Sequence, residues 1–288
     1  MRIGLHALGI GAGAQPEVIR AVASAAEAVG FARLWVGEHV VMVDRSGSRY
    51  PYNEAEEIPV PADADWLDPF VCLSFAAAMT SSIELATGIL LLPEHHPVVV
   101  AKRAASLDLV SGGRFTLGVG VGWSREEFEA LGVPFAQRGA RTAEYVAALR
   151  ELWRHDPASF QGEFVSFDSV RVNPKPVRDG HLPVIVGGNS EPALARVARV
   201  ADGWYGFNLR DLAEVERCLG SLGGHCHAAG RRVEDLDLAV AVVDCQPGQL
   251  GELERAGVGE LVVVDAPPED PDAAAEWVRE LGERWVGA

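Results

Sequence analysis

Cysteine, positive charge and long apolar runs are all scarce in this sequence, and each scarcity removes a class of protein. The four cysteines, Cys72, Cys218, Cys226 and Cys245, contain no CxxC spacing. Spread over 288 residues, they fit a reduced cytoplasmic protein better than a disulfide framework or a zinc site. Lysine and arginine together number 25 against 41 aspartates and glutamates, a net charge of −16. That balance does not suit a phosphate-neutralising surface, so nucleic acid is not an expected partner. A small anionic ligand is still permitted, because backbone N–H groups can build a local anion site. The most apolar stretch, Leu85 to Ala101, is broken by Pro93, Glu94, His95, His96 and Pro97, so no membrane partner is expected. The first residues, Met1 to His6, carry no uninterrupted apolar region of the secretory-signal kind.

What the sequence does have is alternation. Short apolar strands begin at Ile3, Leu34, Ile83, Arg114, Leu182, Trp204, Leu236 and Glu260, and helical segments separate them. The segment Pro97–Val110 has proline in its first turn and Ser111-Gly112-Gly113 as its stop. Leu194, Val197, Ala198 and Ala201 recur at helical spacing. Eight strand–helix units predict an α/β fold of the closed (β/α)8 TIM-barrel type, one domain over residues 1–288, rather than an open sheet. A hydrophobic fraction of 48% is ample for such a core. Two insertions interrupt the rhythm. Val40–Trp66 follows strand two and would rise from the C-terminal face, where barrel active sites lie. Asp156–His181 precedes strand five on the opposite face and contains "FQGEFVSF", which suits a small hairpin.

Several motifs carry chemistry. "LWVGEHVV" ends strand two on Glu38 and His39, either a hydrogen-bonded rim pair or a proton-transfer histidine with an acid to orient it. "GIGAGA", Gly9 to Ala14, loosely fits a dinucleotide fingerprint with Glu38 as ribose acid, but Gln15-Pro16 separates the glycines from the helix. "VGGNSEPAL" places Gly187, Gly188, Asn189 and Ser190 before a helix start. That pattern makes an anion site, or else ordinary N-caps. Glu191 there would repel a phosphate if it pointed inward. "GVGVGW", Gly118 to Trp123, lets a backbone pass close to a flat ligand or simply leave the barrel sharply. "PEHHP" offers Glu94, His95 and His96, yet adjacent histidines share one metal poorly and no HExxH spacing occurs, so no metal is expected. Tyr50, Tyr52 and Trp66 suit either stacking on a ring substrate or pinning the first insertion.

The segments "GFARLWVGEH", "LPEHHPVVVAKRAASLDLVSGGRFTLGVGVGW", "NPKPV" and "LPVIVGGNSEPALARVARVADGW" resemble the luciferase-like monooxygenase superfamily, especially its coenzyme F420-dependent branch. The resemblance runs from Met1 to about Phe207. It implies a (β/α)8 barrel and hydride transfer between C5 of F420 and a small organic substrate. The alternatives it carries are a reduced-FMN, two-component monooxygenase and a non-catalytic flavin- or F420-binding protein. His39 matches the branch's active-site histidine, while Glu38 stands where aspartate is commoner. The resemblance further implies a bulge at Thr87, Gly88 and Ile89 with a non-proline cis bond at Gly88–Ile89. It also implies a cofactor phosphate on Gly187, Gly188, Asn189 and Ser190, and a cofactor pocket lined by Gly120, Gly122 and Trp123. Homodimers are common in the family. Some members place a catalytic glutamate after strand four, where this chain has "GWSREEF", so that role is left unassigned.

Overall fold

The computed structural model describes residues 1–44 and 46–287. Among them the chain alternates as β1 (Arg2–His6), α1 (Pro16–Val29), β2 (Arg33–Val36), α2 (Pro69–Met79), β3 (Glu84–Thr87), β4 (Leu90–Leu91) and α3 (Pro97–Val110). It continues with β5 (Phe115–Gly120), α4 (Arg125–Ala130), α5 (Arg138–Arg154), a hairpin of β6 (Ala158–Gln161) and β7 (Ser166–Val170), β8 (Val184–Gly187) and α6 (Glu191–Val200). The last quarter is β9 (Gly203–Leu209), α7 (Leu212–Ala228), β10 (Asp237–Val242), α8 (Leu250–Arg255), β11 (Glu260–Val264) and α9 (Pro271–Trp285). The parallel strands run in the order β3-β2-β1-β11-β10-β9-β8-β5, and β3 pairing with β5 closes the ring. The result is the expected (β/α)8 barrel.

Strand alternation sorts the side chains. On β2, Leu34 and Val36 pack outward under the helices, while Arg33 and Trp35 point into the barrel. The interior is therefore built in layers. At the N-terminal end, Arg33 meets Glu84 and Asp237 at 2.9 Å each and Glu260 at 3.4 Å. Above it the Trp35 indole N–H donates to Glu260 Oε1 at 2.7 Å, and its ring stacks on Tyr205 at 4.6 Å. Outside, the helices start where the sequence puts proline in the first turn, at Pro16, Pro69, Pro97 and Pro271.

Between β3 and β4 the register slips. Ala86 pairs with Thr116 and Leu90 with Val119, so four steps along one strand face three along the other. This β-bulge holds the cis bond at Gly88–Ile89. The predicted hairpin forms, and Glu144 on α5 fixes its turn by accepting from the N–H groups of Glu163, Phe164 and Val165. No residue of this second insertion lines the cavity at the barrel mouth. None of the described helices is long and apolar enough to cross a membrane.

Breaking the charged layer tests its weight. Arg33→Met leaves the fully buried Glu260 with only the half-buried Arg2, 3.5 Å away, as a cation, and loss of one member of a buried ion pair typically costs about 3–5 kcal/mol. The urea midpoint should fall accordingly with an unchanged slope. A loss below about 1 kcal/mol would show the layer to be dispensable.

Candidate active site

The C-terminal ends of the strands open into a cavity of about 720 Å³, covered by residues 49–66 of the first insertion. Its floor includes His6 and Tyr205, whose Nδ1 and hydroxyl lie 3.3 Å apart. Burial pushes the His6 imidazole down to about 4, so it is neutral at pH 7.

His39 stands on the cavity wall and is held from behind by Glu127. Glu127 Oε2 lies 2.8 Å from His39 Nδ1, while Oε1 accepts from the N–H groups of Val40 at 2.7 Å and Val41 at 3.3 Å. With this carboxylate accepting, Nδ1 carries the ring hydrogen and Nε2 is left for the cavity. Trp66 and Trp123 stand edge-on to the imidazole at 4.8 and 5.7 Å, which fixes its plane. Glu127 belongs to α4, a six-residue helix that apolar periodicity does not reveal because it is almost wholly polar. Its signature is the capping pattern "SREE": the Ser124 hydroxyl accepts from the Glu127 N–H at 3.4 Å.

Glu38, expected to orient His39, has other partners. Its carboxylate accepts from the Leu91 N–H at 2.7 Å and sits 3.0 Å from His95 Nε2. Consecutive residues at a strand end diverge, and Glu38 turns toward the bulge while His39 turns toward α4. The contact expected of Glu38 is made by Glu127 instead. His96 caps α3 by accepting from the Val98 N–H at 3.3 Å, so the paired histidines of "PEHHP" part company. Glu94, the third member of that motif, is 8% exposed, and neither carboxyl oxygen finds a partner among the described residues. Burial first, then the nearby carboxylates of Glu127 and Glu38, push it up to about 9. At pH 7 it is a neutral acid beside two acid–imidazole pairs.

The bulge presents Gly88 and Ile89 to the cavity. Glycines on two neighbouring strands make room for Ile89. A Cβ on Gly120 would run into Ile89 Cδ1, and one on Gly187 would lie 2.9 Å from it. Thr87 and Gly120, expected against a cofactor, do not line the cavity. They stand behind Ile89, where the Thr87 hydroxyl donates to the Gly118 carbonyl at 2.6 Å. Gly122, at φ +73°, turns the chain over Phe128 and Glu94 and does line the cavity with Trp123.

At the far end lie Gly187, Gly188, Asn189 and Ser190. Asn189 is occupied: its amide donates to the Phe207 carbonyl at 2.7 Å and accepts from the Phe207 N–H at 3.2 Å. The Ser190 hydroxyl makes no capping bond to α6, and a helix's first-turn N–H groups have no partner of their own. Glu191 points away, to Ser221 at 2.7 Å and His225 at 3.2 Å on α7, so it does not oppose an anion. Arg138 completes this wall, a residue with no sequence signal beyond its place at the start of α5. Its Nε donates to the Gly122 carbonyl at 3.0 Å and its guanidinium covers the Phe135 ring at 3.8 Å. Among the described residues no carboxylate pairs with it. Desolvation lowers its pKa, with the charge of Arg125 adding to the effect. The Gly9–Ala14 turn is not a nucleotide cradle. The Gly9 carbonyl and the Gly11 N–H tie down the end of the covering insertion through Leu67 and Asp65.

The chain belongs to the luciferase-like monooxygenase family, whose sequence model matches residues 3–245. The uncharacterized protein Rv0953c of Mycobacterium tuberculosis is 37% identical over 263 residues, 91% of either chain. Monooxygenase RslO1 from Streptomyces bottropensis has a similar fold, with a TM-score of 0.78 at 20% identity over 100% of this chain and 99% of that one. The coenzyme F420-dependent tetrahydromethanopterin reductase from Methanopyrus kandleri gives 0.75 at 17% identity, covering 99% and 98%. At such identities these two structures bear on the fold alone.

Glu94 should shape the pH dependence of stability. Its folded pKa is raised from 4.5 to about 9, so between those values the folded chain holds a proton that the unfolded chain has lost. That contribution to stability is fully present below 4.5 and disappears as pH rises through 9. Glu94→Gln should therefore gain stability relative to the parent as pH climbs, read from urea midpoints at pH 5, 7 and 9. Parallel curves for the two proteins would show that Glu94 ionises freely.

Proposed function

We propose that the chain is an F420-dependent oxidoreductase acting on a small organic substrate. The observation that carries this reading is one cavity joining a histidine, the Gly88–Ile89 bulge and a guanidinium beside a helix start, the histidine Nε2 and the guanidinium having no side-chain partner among the described residues. The residues fit the cofactor. Ser190, the first-turn N–H groups of α6 and Arg138 would hold its phosphate, and Ile89, Gly122 and Trp123 would face its ring system. When bound, F420 supplies a hydride-transferring carbon, C5 of its deazaflavin ring.

The chain's own part is proton handling and water exclusion. His39 Nε2 gives a proton to, or takes one from, the substrate oxygen, while Nδ1–H stays on Glu127. The carboxylate fixes the tautomer and offsets the positive charge that the ring gains when Nε2 is protonated. The covering insertion shields this exchange from bulk water. Membership of a monooxygenase family supports a second reading, in which the same cavity takes reduced FMN and activates oxygen.

Titration with F420 and with FMN separates the two: micromolar affinity for F420 is expected, and tight binding of FMN alone would overturn the first reading. His39→Ala should lower turnover by about 10²–10⁴-fold, the range for loss of a general acid–base, and leave cofactor affinity unchanged. Arg138→Ala should do the reverse, weakening cofactor binding by roughly 1.5–3 kcal/mol, the worth of a hydrogen bond to a charged group. If both variants change the same parameter, the division between the two ends of the cavity fails.

A further inference from the structure

The charges around the cavity are lopsided. Among the described residues, Arg138 lines the cavity without a carboxylate partner. Elsewhere on the wall the charged groups are engaged or turned out. Glu38 is held by Leu91 and His95. Arg49 pairs with Glu56 at 2.7 Å and is 78% exposed, while Asp265 lies on the exposed rim. His6 is neutral.

Part of the wall is a run of rings, each edge-on to the next. Trp66 meets His39 at 4.8 Å, His39 meets Trp123 at 5.7 Å, and Trp123 meets Tyr50 at 5.4 Å. Tyr50 meets Tyr52, and Tyr52 meets Phe207, at 5.4 Å each. Burial raises both tyrosine hydroxyls, so neither becomes a phenolate at neutral pH. His39, second in this run, brings a ring nitrogen to it.

We propose that the aromatic run, whose Trp123 also borders the cofactor, is the substrate subsite, and that it takes an uncharged ring compound bearing a carbonyl or hydroxyl oxygen, which His39 Nε2 meets. Edge-to-face rings favour a flat apolar partner, which adds to the packing already present. An anionic substrate would lose its hydration against a run of rings that carries no cation of its own among the described residues. The substrate oxygen finds its partner in His39. The inference rests on this cavity being the active site, and not on which cofactor it holds.

Three ligands on one naphthalene ring test it by isothermal titration, with and without cofactor. They are 2-acetylnaphthalene (neutral), 2-naphthoate (anionic) and 2-naphthyltrimethylammonium (cationic). The neutral ketone should bind at least about tenfold more tightly than either ion, and 2-ethylnaphthalene, which lacks the oxygen, should bind more weakly than the ketone. Phe207→Ala should weaken the ketone by about threefold to tenfold, the range for loss of one aromatic pair, with F420 affinity unchanged. Equal or tighter binding of either ion to the unmodified chain overturns the proposal, whatever the variant does. Cofactor binding without ketone preference removes this inference alone. Ketone preference without F420 binding supports it and removes the F420 assignment instead.

Discussion

The two carboxylate oxygens of Glu127 meet three donors, and the geometry of the cavity follows from how they are shared. One oxygen takes the His39 ring and the other takes the next two backbone N–H groups. A single side chain thereby sets the tautomer of the histidine and the direction in which the covering insertion leaves the strand. Its neighbour Glu126 continues the same work outside, accepting from the Gly47 N–H at 2.7 Å and the Ser46 hydroxyl at 3.1 Å. A short polar helix therefore serves both as the backing of the imidazole and as the anchor of the cover.

That arrangement sits on a barrel whose two ends differ in kind. Below, the buried Arg33 is paired with buried Glu260 and with the half-buried Glu84 and Asp237, and Trp35 closes the layer by binding the same Glu260. Above, the polar groups are split between paired acids, a neutral Glu94 and a cation without a counter-ion. Opposite charges cluster at the packed end, and at the ligand end Arg138 has no carboxylate partner among the described residues.

Much of this was legible in the residues. Alternation placed the barrel, and prolines and glycines marked helix ends to within a residue at Pro16–Val29 and Pro97–Val110. The family motifs singled out His39, the Gly88–Ile89 bulge and the loop at Gly187 to Ser190, and the structure brings all three to one cavity. What stayed hidden were contacts between residues far apart in sequence. Nothing local distinguishes Glu127 from Glu126, and only the fold shows which of them turns inward across 88 residues to His39. Glu38 misled for the same reason, since adjacency in a strand places side chains on opposite sides. Arg138 shows no feature in sequence, because its significance lies in what fails to pair with it.

The crowding around Ile89 also bears on how this barrel can change. Glycine at 118, 120 and 187 and isoleucine at 89 occupy one shared volume: a Cβ at Gly118 would come 3.4 Å from Ile89 and into the Thr87 carbonyl. A survey that varied one position at a time would score each glycine as intolerant and Ile89 as an unremarkable aliphatic. Yet room for a larger residue at Gly120 or Gly187 opens only when position 89 shrinks. Those residues amount to one decision written in several places, and altering the shape of the cavity beside the bulge means rewriting them together.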